Sequence, residues 1–166
     1  LELGGKAANI IYEDAAIDQA VEGVVNGIFF NQGHVCCAGS RLLLQESIHD
    51  EFVAKLEKRM QTLRVGNPLD KNTDIGAINS KEQLDKIEGL VNEGVSDGGK
   101  IFQTECELPG NGFWFKPTLF TDVQPSYSIA REEIFGPVLT TLTFRTPQEA
   151  IEIANNTEYG LSAGVW

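Results

Sequence analysis

The stretch RLLLQESIHDEFVAKLEKRMQTL, residues 41–63, changes its hydrophobic period part-way along. It opens on Leu42, Leu43 and Leu44, a strand-like apolar run. Beyond it the apolar residues fall at Ile48, Phe52, Leu56, Met60 and Leu63, the stripe of a helix. A strand leading into an amphipathic helix is the building unit of an α/β domain, and strand and helix alternate through much of the chain.

Three further helices follow from period and caps. Ile17, Val21, Val24, Val25 and Ile28 recur at helical spacing behind Asp14 and predict a helix over about residues 15–30. Ser80 and Gln83 form a capping box ahead of Leu84, Ile87 and Val91, with a stop near Gly94. Thr146, Pro147 and Glu149 open the last one. Strand-like runs are ANIIY (8–12), RLLLQ (41–45), KIFQT (100–104), FWFKPTLF (113–120), PVLTTLTF (137–144) and LSAGVW (161–166). Together these predict a layered α/β domain with a largely parallel sheet and flanking helices. VGNPLDKNTDIG, residues 65–76, is dense in turn formers and reads as a long surface loop.

The 166 residues amount to one domain in size. Their net charge of -11 disfavours nucleic acid and anionic membrane as partners, because a phosphate backbone needs clustered Lys and Arg. Cys36, Cys37 and Cys106 lack the spacing of a disulfide framework, which points to a reducing, cytoplasmic compartment. No metal site is expected, since adjacent cysteines are not a C-x2-C clip and the only histidines are His34 and His49. Both ends read as cut, LELGG opening mid-pattern and LSAGVW closing on an apolar strand-like run, so a piece of a larger protein is expected.

Chemistry concentrates in three segments. FFNQGHVCCAGS, residues 29–40, puts two adjacent cysteines in a Gly-flanked loop. Such residues are either small hydrophobes in a core or, where exposed and activated, a nucleophile. Ala38 and Gly39 behind Cys36 let a substrate approach and leave backbone N–H groups for an oxyanion. Glu2, in LELGGK (1–6), is a carboxylate in apolar company, which moves its pKa toward that of a general base at neutral pH. Glu133, in REEIFGPV (131–138), leads into another apolar segment. For either glutamate a cap or an ion pair is the plain structural alternative.

LELGGK, FFNQGHVCCAGS and EEIFGPV, in this order, resemble the three signature segments of the NAD(P)-dependent aldehyde dehydrogenase superfamily. The separations of 34 residues from Glu2 to Cys36 and 97 from Cys36 to Glu133 suit its hydrolytic enzymes, and the likeness runs through essentially all of the chain. The resemblance implies oxidation of an aldehyde to a carboxylic acid. Cys36 corresponds to the nucleophile that forms a thiohemiacetal and then a thioester, and Glu2 to the base that activates the hydrolytic water. Glu133 corresponds to the residue holding the nicotinamide ribose hydroxyls, Phe135 to the ring beside the nicotinamide, and the Leu3–Gly4 backbone to a contact of the carboxamide. NAD or NADP is the implied cofactor, a small aldehyde the implied partner, and a homo-oligomer the implied state of the full-length protein. Cys37 and Cys106 are read as packing residues.

The resemblance also frames what is expected to be missing. Residues 1–166 correspond to the thiol-bearing catalytic domain truncated at both ends, with the dinucleotide-binding domain absent. A non-catalytic fragment or scaffold of the same fold is the second reading. His34 stands where the family usually has Gln or Glu, which raises a third reading, a hydrolase using Cys36 and His34, and otherwise a histidine making loop hydrogen bonds.

Overall fold

A computed structural model describes residues 3–166. Six strands, β1 (Ala8–Ile11), β2 (Arg41–Gln45), β3 (Lys100–Gln103), β4 (Thr118–Thr121), β5 (Val138–Phe144) and β6 (Ala163–Val165), form one sheet. Their order is β3-β4-β5-β2-β1-β6, and every neighbouring pair is parallel except β3–β4. The expected α/β architecture with a largely parallel sheet is the observed one.

The three leucines of β2 explain the layering. Leu42 and Leu44 enter a core built on α1 (Ile17–Phe29) and α2 (His49–Met60). Leu43 points to the opposite face, where α3 (Lys81–Ser96), α4 (Ser128–Arg131) and α5 (Pro147–Asn155) pack. A strand covered on both faces reads as an unbroken apolar run rather than an alternating one. All three leucines are fully buried, each contributing about 1.5–3 kcal/mol.

Several boundaries differ from the sequence expectation. The first helix starts at Ile17 with Ala16 in the cap position and no side-chain cap, while Asp14 lies in the preceding turn. That helix ends at Phe29, and the chain then passes through left-handed φ values of 50° at Asn31, 57° at Gln32 and 73° at Gly33. Of FWFKPTLF only Thr118 onward pairs as strand, since Pro117 brings no N–H to a ladder. The four-residue α4 is too short to show a period. In α5, Thr146 Oγ1 accepts from the Glu149 N–H (3.2 Å) as expected, but Glu149 accepts from the Arg145 N–H (2.7 Å), one residue ahead of the cap. Within the 65–76 loop, Val65 and Ile75 form an isolated bridge and are both buried.

Arg41, at the head of β2, is nearly inaccessible. Its guanidinium donates to Lys6 O (2.8 Å), Ile153 O (2.9 Å) and Ala154 O (2.8 Å), tying the segment before β1 to the C-terminal turn of α5. A cation there also meets the negative end of the helix dipole. Arg41→Met strands three carbonyls and is expected to cost about 3 kcal/mol, read from the denaturant midpoint. Arg41→Lys, with charge but no planar fork, is expected to recover only part of the loss.

Candidate active site

The segments singled out in the sequence each run directly into a strand: residues 3–7 into β1, 34–40 into β2 and 132–137 into β5. Because β5, β2 and β1 are consecutive in the sheet and parallel, with Ala8 opposite Arg41 and Arg41 opposite Thr140, the three lead-ins meet at one edge. They enclose an open cleft of about 530 Å³ that brings together Leu3, Gly4, Cys36, Glu133 and Phe135. Glu2 lies outside the described residues.

The contacts are close. A side chain at Gly5 would strike the carbonyl oxygen of Cys36, so the two lead-ins touch only because Gly5 has none. Glu133 Oε1 accepts from the Gly5 N–H (2.8 Å), and Oε2 lies 2.9 Å from where a Cβ on Gly4 would sit. Cys36 is exposed, as an available nucleophile must be. Cys37 is exposed too, which corrects its reading as a packing residue: its side chain does not enter the core, and its carbonyl accepts from Ser162 Oγ (3.2 Å). Cys106 does pack against the core, 3.4 Å from Thr104 Oγ1.

Phe135 is held in the left-handed region, φ 54°. Gln83 Nε2 donates to the carbonyls on both sides of that strained residue, Ile134 O (2.8 Å) and Phe135 O (3.0 Å). The capping box is therefore half formed: Ser80 Oγ accepts from the Gln83 N–H (3.1 Å), but the Gln83 side chain serves the Phe135 loop. Gln83 and Lys86 both line the cleft, and sequence reasoning missed them as site residues. Three apart on the polar face of α3, they carry no signal that separates them from a solvated surface.

His34 also lines the cleft. Its Nδ1 is 3.2 Å from Gln32 O and its Nε2 3.2 Å from Asn79 Oδ1. Its ring lies 5.1 Å from that of Phe135, tilted by 49°. Both nitrogens are engaged away from Cys36, which weighs against a Cys–His pair. Among the described residues no group of three His, Cys, Asp or Glu side chains is arranged to hold a metal, and no helix is long and apolar enough to cross a membrane.

On the lead-in to β1, Lys6 is fully buried, and among the described residues its Nζ has no hydrogen-bond partner. Burial, aided by the Arg41 charge, pushes its pKa down from 10.5 to about 7, against the pull of Glu133 and Glu132. The unfolded chain therefore holds this proton up to higher pH than the folded one. The stability cost is fully present below about pH 7 and is relieved as pH rises towards 10.5. Lys6→Met is expected to be more stable than the native protein near pH 6.5, by on the order of 3–5 kcal/mol, with the gap closing by pH 10. Melting curves of both proteins across that range measure it, and a gap independent of pH would contradict the assignment.

The model of the aldehyde dehydrogenase family matches residues 1–166. The chain is 48% identical to an aldehyde dehydrogenase of Emericella nidulans over 99% of its own length and 33% of the relative's. It superposes on the crystal structure of an NAD-dependent aldehyde dehydrogenase from Sinorhizobium meliloti with a TM-score of 0.96 at 44% identity, covering all of this chain and 33% of that one. A betaine aldehyde dehydrogenase from Staphylococcus aureus in complex with NAD+ gives a TM-score of 0.95 at 40% identity, covering all of this chain and 34% of that one. The chain belongs to the aldehyde dehydrogenase family. It spans about a third of the length of the curated relatives it matches.

Proposed function

We propose that these residues form the thiol-bearing side of the active site of an NAD-dependent aldehyde dehydrogenase. The observation that carries this reading is the convergence of Cys36, Glu133, Phe135 and the Leu3–Gly4 backbone on one cleft, in a chain of this family. Within the cleft Cys36 attacks the aldehyde carbon, and the resulting thiohemiacetal becomes a thioester on Sγ once hydride has left. Glu2, on the strength of its place in LELGGK, takes a proton from the water that hydrolyses the thioester.

The cleft suits one end of NAD. Its volume falls within the roughly 300–1,000 Å³ of small-ligand sites. Gly4 leaves open the space beside Glu133 Oε2 that a Cβ would fill. Glu133 Oε2 would accept from the ribose hydroxyls while Oε1 stays on the Gly5 N–H, and Phe135 would pack beside the nicotinamide. The nicotinamide, when bound, supplies the hydride acceptor. An aldehyde is the substrate class, and a homo-oligomer is the proposed state of the whole protein.

Cys36→Ser in the complete protein is expected to abolish NADH production from aldehydes, whereas Cys37→Ser keeps it. The reverse pattern would place the nucleophile on the wrong sulfur. Glu2→Gln should give a pre-steady-state burst of NADH followed by a stalled second turnover, because the amide cannot take a proton from water. An unchanged steady-state rate would remove Glu2 from the mechanism.

A further inference from the structure

The segment that carries Cys36 leaves α1 through left-handed φ values at Asn31 and Gln32, neither of them glycine. Such conformations cost about 1–3 kcal/mol each and persist only where surrounding contacts over-determine them. Two side chains supply those contacts. Gln32 Oε1 accepts from the Gly76 N–H (3.0 Å), anchoring the segment to the end of the 65–76 loop. His34 reaches from Gln32 O across to Asn79 Oδ1, the residue just before the Ser80 cap of α3. One turn further on, Gln83 of the same helix holds the carbonyls of Ile134 and Phe135. The head of α3 thus grips the nucleophile loop through His34 and the Phe135 loop through Gln83, with the His34 and Phe135 rings in contact between them.

We propose that His34 is a positioning residue for the reaction, its hydrogen bond to Asn79 setting where Cys36 stands relative to the Phe135 side of the cleft. This rests on the dehydrogenase reading above. The ring can keep both bonds in either protonation state. The imidazolium donates to Gln32 O and Asn79 Oδ1, and the neutral ring with its proton on Nδ1 accepts at Nε2 once the Asn79 amide turns over. The tether acts on geometry. It governs the step in which a bound carbon must face the hydride acceptor, a step sensitive to displacements near 1 Å.

The test uses the complete protein in a Cys37→Ser background, so that Cys36 alone reports for this loop. Burst rates of NADH formation and alkylation of Cys36 by iodoacetamide are measured for His34→Ala, His34→Gln, Asn79→Ala and the His34→Ala/Asn79→Ala pair. The expected result is a roughly ten- to hundredfold slower burst for His34→Ala, with alkylation within about twofold of the parent. Asn79→Ala should reproduce the defect, the double variant should add little to it, and His34→Gln, whose amide can still reach Asn79, should recover most of the rate. Several outcomes would overturn the tether: an unchanged burst in His34→Ala, a double variant whose losses multiply, no recovery in His34→Gln, or alkylation falling in step with the burst. The last would make His34 an activator of the thiol. Cys36→Ser run alongside tests the dehydrogenase reading separately, since its retained activity would refute that reading whatever the His34 variants do.

Discussion

The site depends on the in-register parallel pairing of β1, β2 and β5. Parallel strands start at the same edge of a sheet, so whatever precedes them in the chain is delivered to that edge. Ala8, Arg41 and Thr140 lie abreast, and the residues just ahead of the strands become neighbours although more than a hundred positions separate the first from the last. A slip of one residue in any pairing would turn every side chain of that strand to the opposite face. In β2 it would drive Leu42 and Leu44 out of the core they share with α1 and α2, so burial of the leucines and alignment of the lead-ins are one constraint.

Around that edge the polar groups are unevenly satisfied. Arg41 spends its guanidinium on three carbonyls and locks the segment before β1 to α5. Lys6, on that same segment, has no partner for its ammonium among the described residues. Glu133 is fastened by one oxygen to the Gly5 N–H, which fixes the carboxylate over the cleft and leaves the other oxygen beside Gly4. Strained backbone gathers here too, at Asn31, Gln32 and Phe135, as is common where a structure holds side chains for chemistry.

Legibility in the sequence followed the range of the interaction. The stripe from Ile48 to Met60 and the cap at Thr146 are local and read correctly. Asp14 looked like a cap because its residue type suits one, but the turn at residues 12–15 places the helix start two residues later than expected, at Ile17. Gln83 misled in the other direction. Its spacing from Ser80 is that of a capping box, yet two carbonyls some fifty residues away in the chain claim its amide. The packing reading of Cys37 rests on its matching a variable position of the resembled family, whereas its exposure follows from the loop's path.

By itself the sequence determined the layered α/β class, because apolar period is a property of neighbouring residues. It also marked Cys36 and Glu133 as chemical candidates, through the residues that flank them. Only the tertiary structure decided that Cys36, Glu133 and Phe135 share a cleft, and that Gln83, Lys86 and His34 belong to it. It alone decided that Lys6 is buried with no partner among the described residues and Arg41 with three. The physical reason is that burial and hydrogen-bond partners at long sequence separation depend on which strands pair and in what register. A chain read one segment at a time does not carry that information.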